Sequence, residues 1–153
     1  MERSLIAPCG INCAVCRQYQ KKKDGCKGCR FETNLKSRTC TLKNCAKPSK
    51  TNPELCAGCT ALPCRRLRDF DRRYWEKTCG FLSVIDNLRK IEQQGMDAFL
   101  KQEEAKWTYS SCGSRLSVSF YTCPSCGSPY RKASQKELER EERMKQKKQM
   151  RNQ

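Results

Sequence analysis

The chain has 153 residues, is 37% hydrophobic only when its fourteen cysteines are counted, and carries a formal charge of +16 with no histidine. That length holds one ordinary domain or two small ones and excludes a large barrel. So thin an apolar complement does not by itself offset chain entropy, so the cysteines must help order the fold as disulfides or as metal ligands.

The N-terminus, MERSLIAPCG, lacks a basic region followed by an apolar run, so no secretory leader is expected. No stretch approaches the roughly 20 apolar residues of a membrane span. The expected location is the cytoplasm, where a cysteine-dense pattern points to metal rather than to disulfides. The missing histidine removes the usual general base and the histidine-bearing catalytic zinc sites. Zinc would then be held by sulfur in closed, structural sites, and the expectation leans away from an enzyme.

In chain order, residues 1–64 hold ten cysteines and little hydrophobic periodicity, which predicts loop-rich structure ordered by metal. The pairs Cys13/Cys16, Cys26/Cys29 and Cys56/Cys59 have C-x2-C spacing, with Cys9, Cys40, Cys45 and Cys64 around them. Gly10, Gly25, Gly28 and Gly58 beside the thiols suit knuckle turns with positive φ. A helix is predicted next, where Leu67, Phe70 and Tyr74 recur on one face. A second opens at Ser83 with Asp86 three residues on, buries Ile85, Leu88 and Ile91, and ends at Gly95. Asp97 is the expected cap of a third, with Phe99, Leu100 and Trp107 as core candidates. Cys79, between the first two, reads as a small buried hydrophobe.

From Trp107 onward the pattern is that of a zinc-ribbon-like hairpin: Cys112-Gly113, an alternating β-prone run from Leu116 to Thr122, and the knuckle Cys123 to Cys126. It has one thiol too few, because Tyr109 stands where a ribbon places its first ligand. The tail begins with a Ser134/Glu137 capping box, and its acids precede its lysines in accord with the helix dipole. Only Leu138, Met144 and Met150 are apolar there, so a solvated helix or frayed end is expected.

The thiols allow several partitions. Cys9, Cys13 and Cys16 have the C-x3-C-x2-C spacing of radical enzymes, but neither the alternating strands and helices nor the glycine-rich strand end of such enzymes is present. The same three with a distant thiol such as Cys64 would serve an electron-transfer cluster. Zinc is favoured, with Cys13, Cys16, Cys26 and Cys29 as one knuckle and Cys40, Cys45, Cys56 and Cys59 as a second. Each four-thiolate zinc site carries a charge of minus two, so part of the N-terminal basic excess is counter-charge. Residues 108–153, with ten Lys and Arg against four acids, are less easily explained that way.

The segments APCGINCAVC, CKGC, CTLKNC, CAGCTALPCRRL, DRRYWEK, SVIDNLRKIEQQGMDAFLKQEEAKW and the terminal hairpin, from Leu5 to Gly127, together resemble a prokaryotic cysteine-rich family known as domain of unknown function 3795. The resemblance implies metal binding and no established activity. It also implies a cysteine where Tyr109 stands and often a histidine within the ribbon, where this chain reads SVSF.

The resulting expectation is a mainly α protein with small irregular metal-ordered regions: a cysteine-rich domain with its helical continuation over 1–107, a ribbon-like module over 108–130 and a charged tail over 131–153. Two or three zinc ions are expected on Cys9, Cys13, Cys16, Cys26, Cys29, Cys40, Cys45, Cys56, Cys59, Cys64, Cys112, Cys123 and Cys126, with an iron–sulfur cluster as the alternative cofactor. The expected role is a structural-zinc module binding a protein or nucleic acid, with no small-molecule substrate evident.

Overall fold

The computed structural model describes residues 1–31, 39–45 and 54–151. Among them are four α-helices, α1 (Arg65–Lys77), α2 (Val84–Gln94), α3 (Met96–Lys106) and α4 (Gln135–Arg151), and two short 3-10 turns, Arg3–Leu5 and Cys13–Val15. No helix of the described residues is long and apolar enough to cross a membrane.

The helical periodicity read from the sequence places the core. Leu67 of α1 is buried, with Phe70 and Tyr74 stacked beside it at 5.7 Å between ring centroids. α2 buries Val84, Leu88 and Ile91, with Ile85 half-buried where burial was expected, and α3 buries Met96 and Phe99, with Leu100 half-buried at the edge of the core. Ser83 caps α2 as expected, accepting from the Asp86 N–H at 3.2 Å. Asp71 of α1 adds a cap the sequence did not reveal: its carboxylate accepts from the Ser83 hydroxyl at 3.0 Å and from the Val84 N–H at 2.6 Å. An acid at a helix start satisfies donors that the helix leaves unpaired, so α1 fixes the direction of α2.

Gly95, with φ +83, closes α2 and also starts α3. The expectation that Asp97 caps α3 is corrected, since the Phe99 N–H already bonds the Gly95 carbonyl and Asp97 lies inside the first turn. At the far end Trp107 is buried, and its indole N–H donates to the buried Glu103 carboxylate at 3.0 Å. The same oxygen accepts from the Asn12 amide at 2.8 Å, which ties the N-terminal chain to α3.

The expected β-run from Leu116 to Thr122 is not a strand; among the described residues pairing is limited to isolated bridges, Ile6 with Asn12, Thr108 with Arg115 and Thr122 with Pro129. Its donors go elsewhere. The Leu116 N–H bonds the Trp107 carbonyl at 2.8 Å and the Val118 N–H bonds Val15 in the N-terminal turn at 2.9 Å. One buried cluster therefore runs from Leu5 through the helices to Cys123.

α4 is a helix whose side chains from Glu139 through Met150 are exposed. Its capping box forms, with the Ser134 N–H on the Glu137 carboxylate at 2.9 Å and the Glu137 N–H on the Ser134 hydroxyl at 3.3 Å. Arg131 grips Glu137 with contacts of 2.6 and 2.8 Å and lies over the Phe81 ring at 4.8 Å. The Arg131 guanidinium, with the Ser134 donors, holds the Glu137 carboxyl at about 2, below its ordinary 4.5. A depressed carboxylate pKa favours the folded state above the unfolded value and loses that contribution as pH falls through the folded one. Wild-type thermal stability is accordingly expected to fall between pH 4.5 and about 2 more steeply than that of Glu137→Gln. Parallel acid melting curves for the two proteins would contradict this.

Candidate metal centre

Two turns of the same build face each other after α3. In the first, the Gly113 N–H bonds the Tyr109 carbonyl at 2.8 Å; in the second, the Gly127 N–H bonds the Cys123 carbonyl at 2.9 Å. Both glycines have positive φ, +69 and +76, which lets the chain reverse directly behind the sulfur. The turns are thus equivalent, with Tyr109 in the place that Cys123 holds in its partner.

They bring together Cys112, Cys123 and Cys126, whose Sγ atoms all lie within 4.8 Å of one another. The Cys112 and Cys123 sulfurs are 3.6 Å apart, close to the roughly 3.8 Å that tetrahedral bonds of 2.3 Å to one zinc ion impose. Cys123 is buried, whereas Cys112 and Cys126 are exposed. The Ser128 backbone N–H and then its hydroxyl favour the Cys126 thiolate and bring its pKa down to about 7. Cys123 moves upward: the Cys126 N–H favours its thiolate, but burial and the hydrogen bonds of the neighbouring thiols outweigh it. One sulfur poised to ionise near neutrality is an entry point for a cation, since the thiolate is the ligand. Ser128 was not visible as a contributor in the sequence, where nothing but its place two residues after Cys126 marks it.

The chain supplies no fourth thiol here. Tyr109 turns its hydroxyl to the Pro129 carbonyl at 3.2 Å and its ring to Tyr130. Cys79 is half-buried rather than buried, with φ +54, and its sulfur meets the Ser134 hydroxyl at 3.1 Å. The three thiols at these turns are the three that the sequence offers there, and a single ion held by them would keep a position for water or an outside ligand.

The N-terminal thiols form two adjoining neighbourhoods, joined where Cys9 feels the charges of Cys40 and Cys56. Burial raises the Tyr74 hydroxyl, and the charges of Cys16, Cys9, Cys13 and Cys29 raise it further. Within this group the Cys29 N–H donates to the Cys13 sulfur at 3.3 Å. The hydrogen bond with Cys29 lowers Cys13 and raises Cys29 in turn. Burial pushes Cys9 up to about 12, with Cys29, Cys40 and Cys56 adding to it. Cys26 takes the Gly28 N–H at 3.4 Å. In the second neighbourhood Cys45, Cys56, Cys59 and Cys64 line one cavity. Burial, with the charges of Cys45, Cys64, Cys59 and Cys40 after it, raises Cys56 to about 11. All fourteen cysteines lie among the described residues and are free thiols.

Positive φ holds at Gly10, Gly28 and Gly58. Gly25 does not share it; a Cβ there would lie 2.5 Å from the Lys21 carbonyl, so close approach is what requires glycine. No curated protein and no solved structure matches the chain. The model of the family described as "Protein of unknown function (DUF3795)" matches residues 5–69, which upholds the family resemblance across the ten N-terminal thiols and the start of α1 while leaving α2, α3 and the terminal turns outside the match.

Proposed function

We propose that the chain is a structural-zinc interaction module in which Cys112, Cys123 and Cys126 hold one zinc ion and so fix the two terminal turns against each other. The observation that carries this reading is the meeting of three sulfurs within 4.8 Å at the ends of two equivalent turns. Zinc fits because it accepts all-sulfur ligation at these spacings and, having no redox chemistry of its own, acts here by cross-linking the chain. The open fourth position is suited to water or to a group from a partner.

The partner favoured by charge is a nucleic acid. Lys145, Lys147 and Lys148 project from the exposed end of α4, and phosphate attraction needs only accessible cations. Base stacking has little support, because Trp107, Phe99 and Phe70 are committed to the core.

Metal analysis of the purified protein and of Cys123→Ser tests the first part. The variant is expected to lose one zinc per chain relative to wild type while α1 to α3 keep their circular dichroism; equal zinc in both proteins would end the reading. Titration of single- and double-stranded oligonucleotides at rising salt tests the second. A steep loss of affinity is expected, whereas absent or salt-independent binding leaves a protein as the partner.

A further inference from the structure

The geometry points to a second, chemically different site: the cavity beside α1 holds an iron–sulfur cluster on Cys45, Cys56, Cys59 and Cys64. It does not rest on zinc at the terminal turns, which are built from other residues.

Three observations carry it. The cavity measures about 290 Å³ and is lined by all four cysteines. One zinc ion needs no such space, because its sulfurs nearly touch around it. A cluster does need it, since each thiolate binds a different iron and the inorganic core fills the middle. No three of the cavity sulfurs lie within 4.8 Å of one another, so they do not close into a single-ion shell.

The surroundings match the occupant. The remaining wall includes Leu55 and Leu67, both buried, which supply the low-dielectric lining that governs cluster potential. A cluster with four thiolates carries excess negative charge, and Lys43 and Arg66 line the cavity beside Arg30, which is paired with the one acid there, Glu54, at 3.0 Å. Arg30 is held at the wall by its Nε on the Ile6 carbonyl at 2.7 Å. Cys64 is also the N-cap of α1, so the positive end of that helix dipole lies next to the thiolate.

This grouping differs from both partitions open in the sequence, one of which joined Cys64 to Cys9, Cys13 and Cys16 while the other placed Cys40 beside Cys45, Cys56 and Cys59. Cys64 lies five residues after Cys59, across a turn in which the Leu62 N–H bonds the Cys59 carbonyl at 2.9 Å.

The test is iron and acid-labile sulfide analysis with visible absorption on full-length protein purified without air from iron-replete cells. Wild type is expected to be brown and to give a paramagnetic signal on dithionite reduction. Cys59→Ser and Cys64→Ser should each lose about four iron and about four sulfide per chain relative to wild type, while Cys123→Ser keeps its colour. Differential alkylation of wild type covers the case in which a variant does not fold: Cys45, Cys56, Cys59 and Cys64 should be protected until iron is removed. A colourless protein that takes up no iron and sulfide under reducing anaerobic conditions would overturn the assignment. So would zinc on these four thiols, or iron whose removal exposes Cys9, Cys13, Cys16 and Cys29 instead.

Discussion

Trp107→Ala is expected to lower the unfolding free energy by about 3–5 kcal/mol, the range for truncating a large aromatic in a packed core. Trp107 is 1% exposed and ends α3 where three segments meet. Its ring packs near Phe81 at 6.1 Å between centroids, and its backbone carbonyl receives the Leu116 N–H. Besides leaving a cavity, the substitution removes one of the two donors on the buried Glu103 carboxylate, leaving it to Asn12. A buried acceptor with fewer donors adds to the loss. Against a total stability of about 5–15 kcal/mol for a domain, the change would bring the protein close to unfolding. Urea denaturation monitored by far-ultraviolet circular dichroism measures it, and a midpoint unchanged from wild type would contradict the packing described. Trp107→Phe should cost less, since the ring stays and the N–H goes.

Gly10→Ala should cost about 2–5 kcal/mol, although it adds a single methyl group to an N-terminal loop. Gly10 has φ +86, a region that costs a side-chain-bearing residue about 1–2 kcal/mol. A Cβ there would lie 2.8 Å from the Val84 carbonyl oxygen and 2.8 Å from Leu88 Cγ. Overpacking of that kind typically adds about 1–3 kcal/mol. The Leu88 side chain can shift, but the Val84 carbonyl belongs to the first turn of α2, which Asp71 fixes from α1. Gly10→Ala combined with Leu88→Ala should therefore not recover wild-type stability. The Asn87 amide, which donates to the Gly10 carbonyl at 2.9 Å, is a nuclear magnetic resonance reporter of the expected displacement. Wild-type melting and an unshifted Asn87 side chain would refute the close approach.

Much of the helical frame was legible because each helix carries its own signals. The spacing of Leu67, Phe70 and Tyr74, the Ser83 cap, Gly95 and the Ser134/Glu137 box are local in sequence and form as read. What failed to read was decided by contacts far along the chain. The run from Leu116 to Thr122 alternates like a strand, but Val118 is claimed by Val15, about a hundred residues earlier. Thiol grouping does not follow from C-x2-C spacing alone: Cys13 and Cys29, which the knuckle reading puts together, meet through the Cys29 N–H on the Cys13 sulfur, a contact made across sixteen residues. The terminal thiols were legible because both turns are short and end in glycine. Spacing already placed Tyr109 in the position of a first ligand, and the geometry adds that its hydroxyl goes to the Pro129 carbonyl.

The loop around Gly10 makes the recognisable stretch dependent on the C-terminal half of the chain. Asn12 is completed by Glu103, the Gly10 carbonyl by Asn87, and the Val15 carbonyl by Val118. A truncation at residue 69 would strip these partners away and open the inner side of Ile6, Val15 and Leu67 to water. The edge of detectable kinship is thus not an edge of self-sufficiency, and any chain that borrows this stretch must bring its own replacement for the helices that roof it.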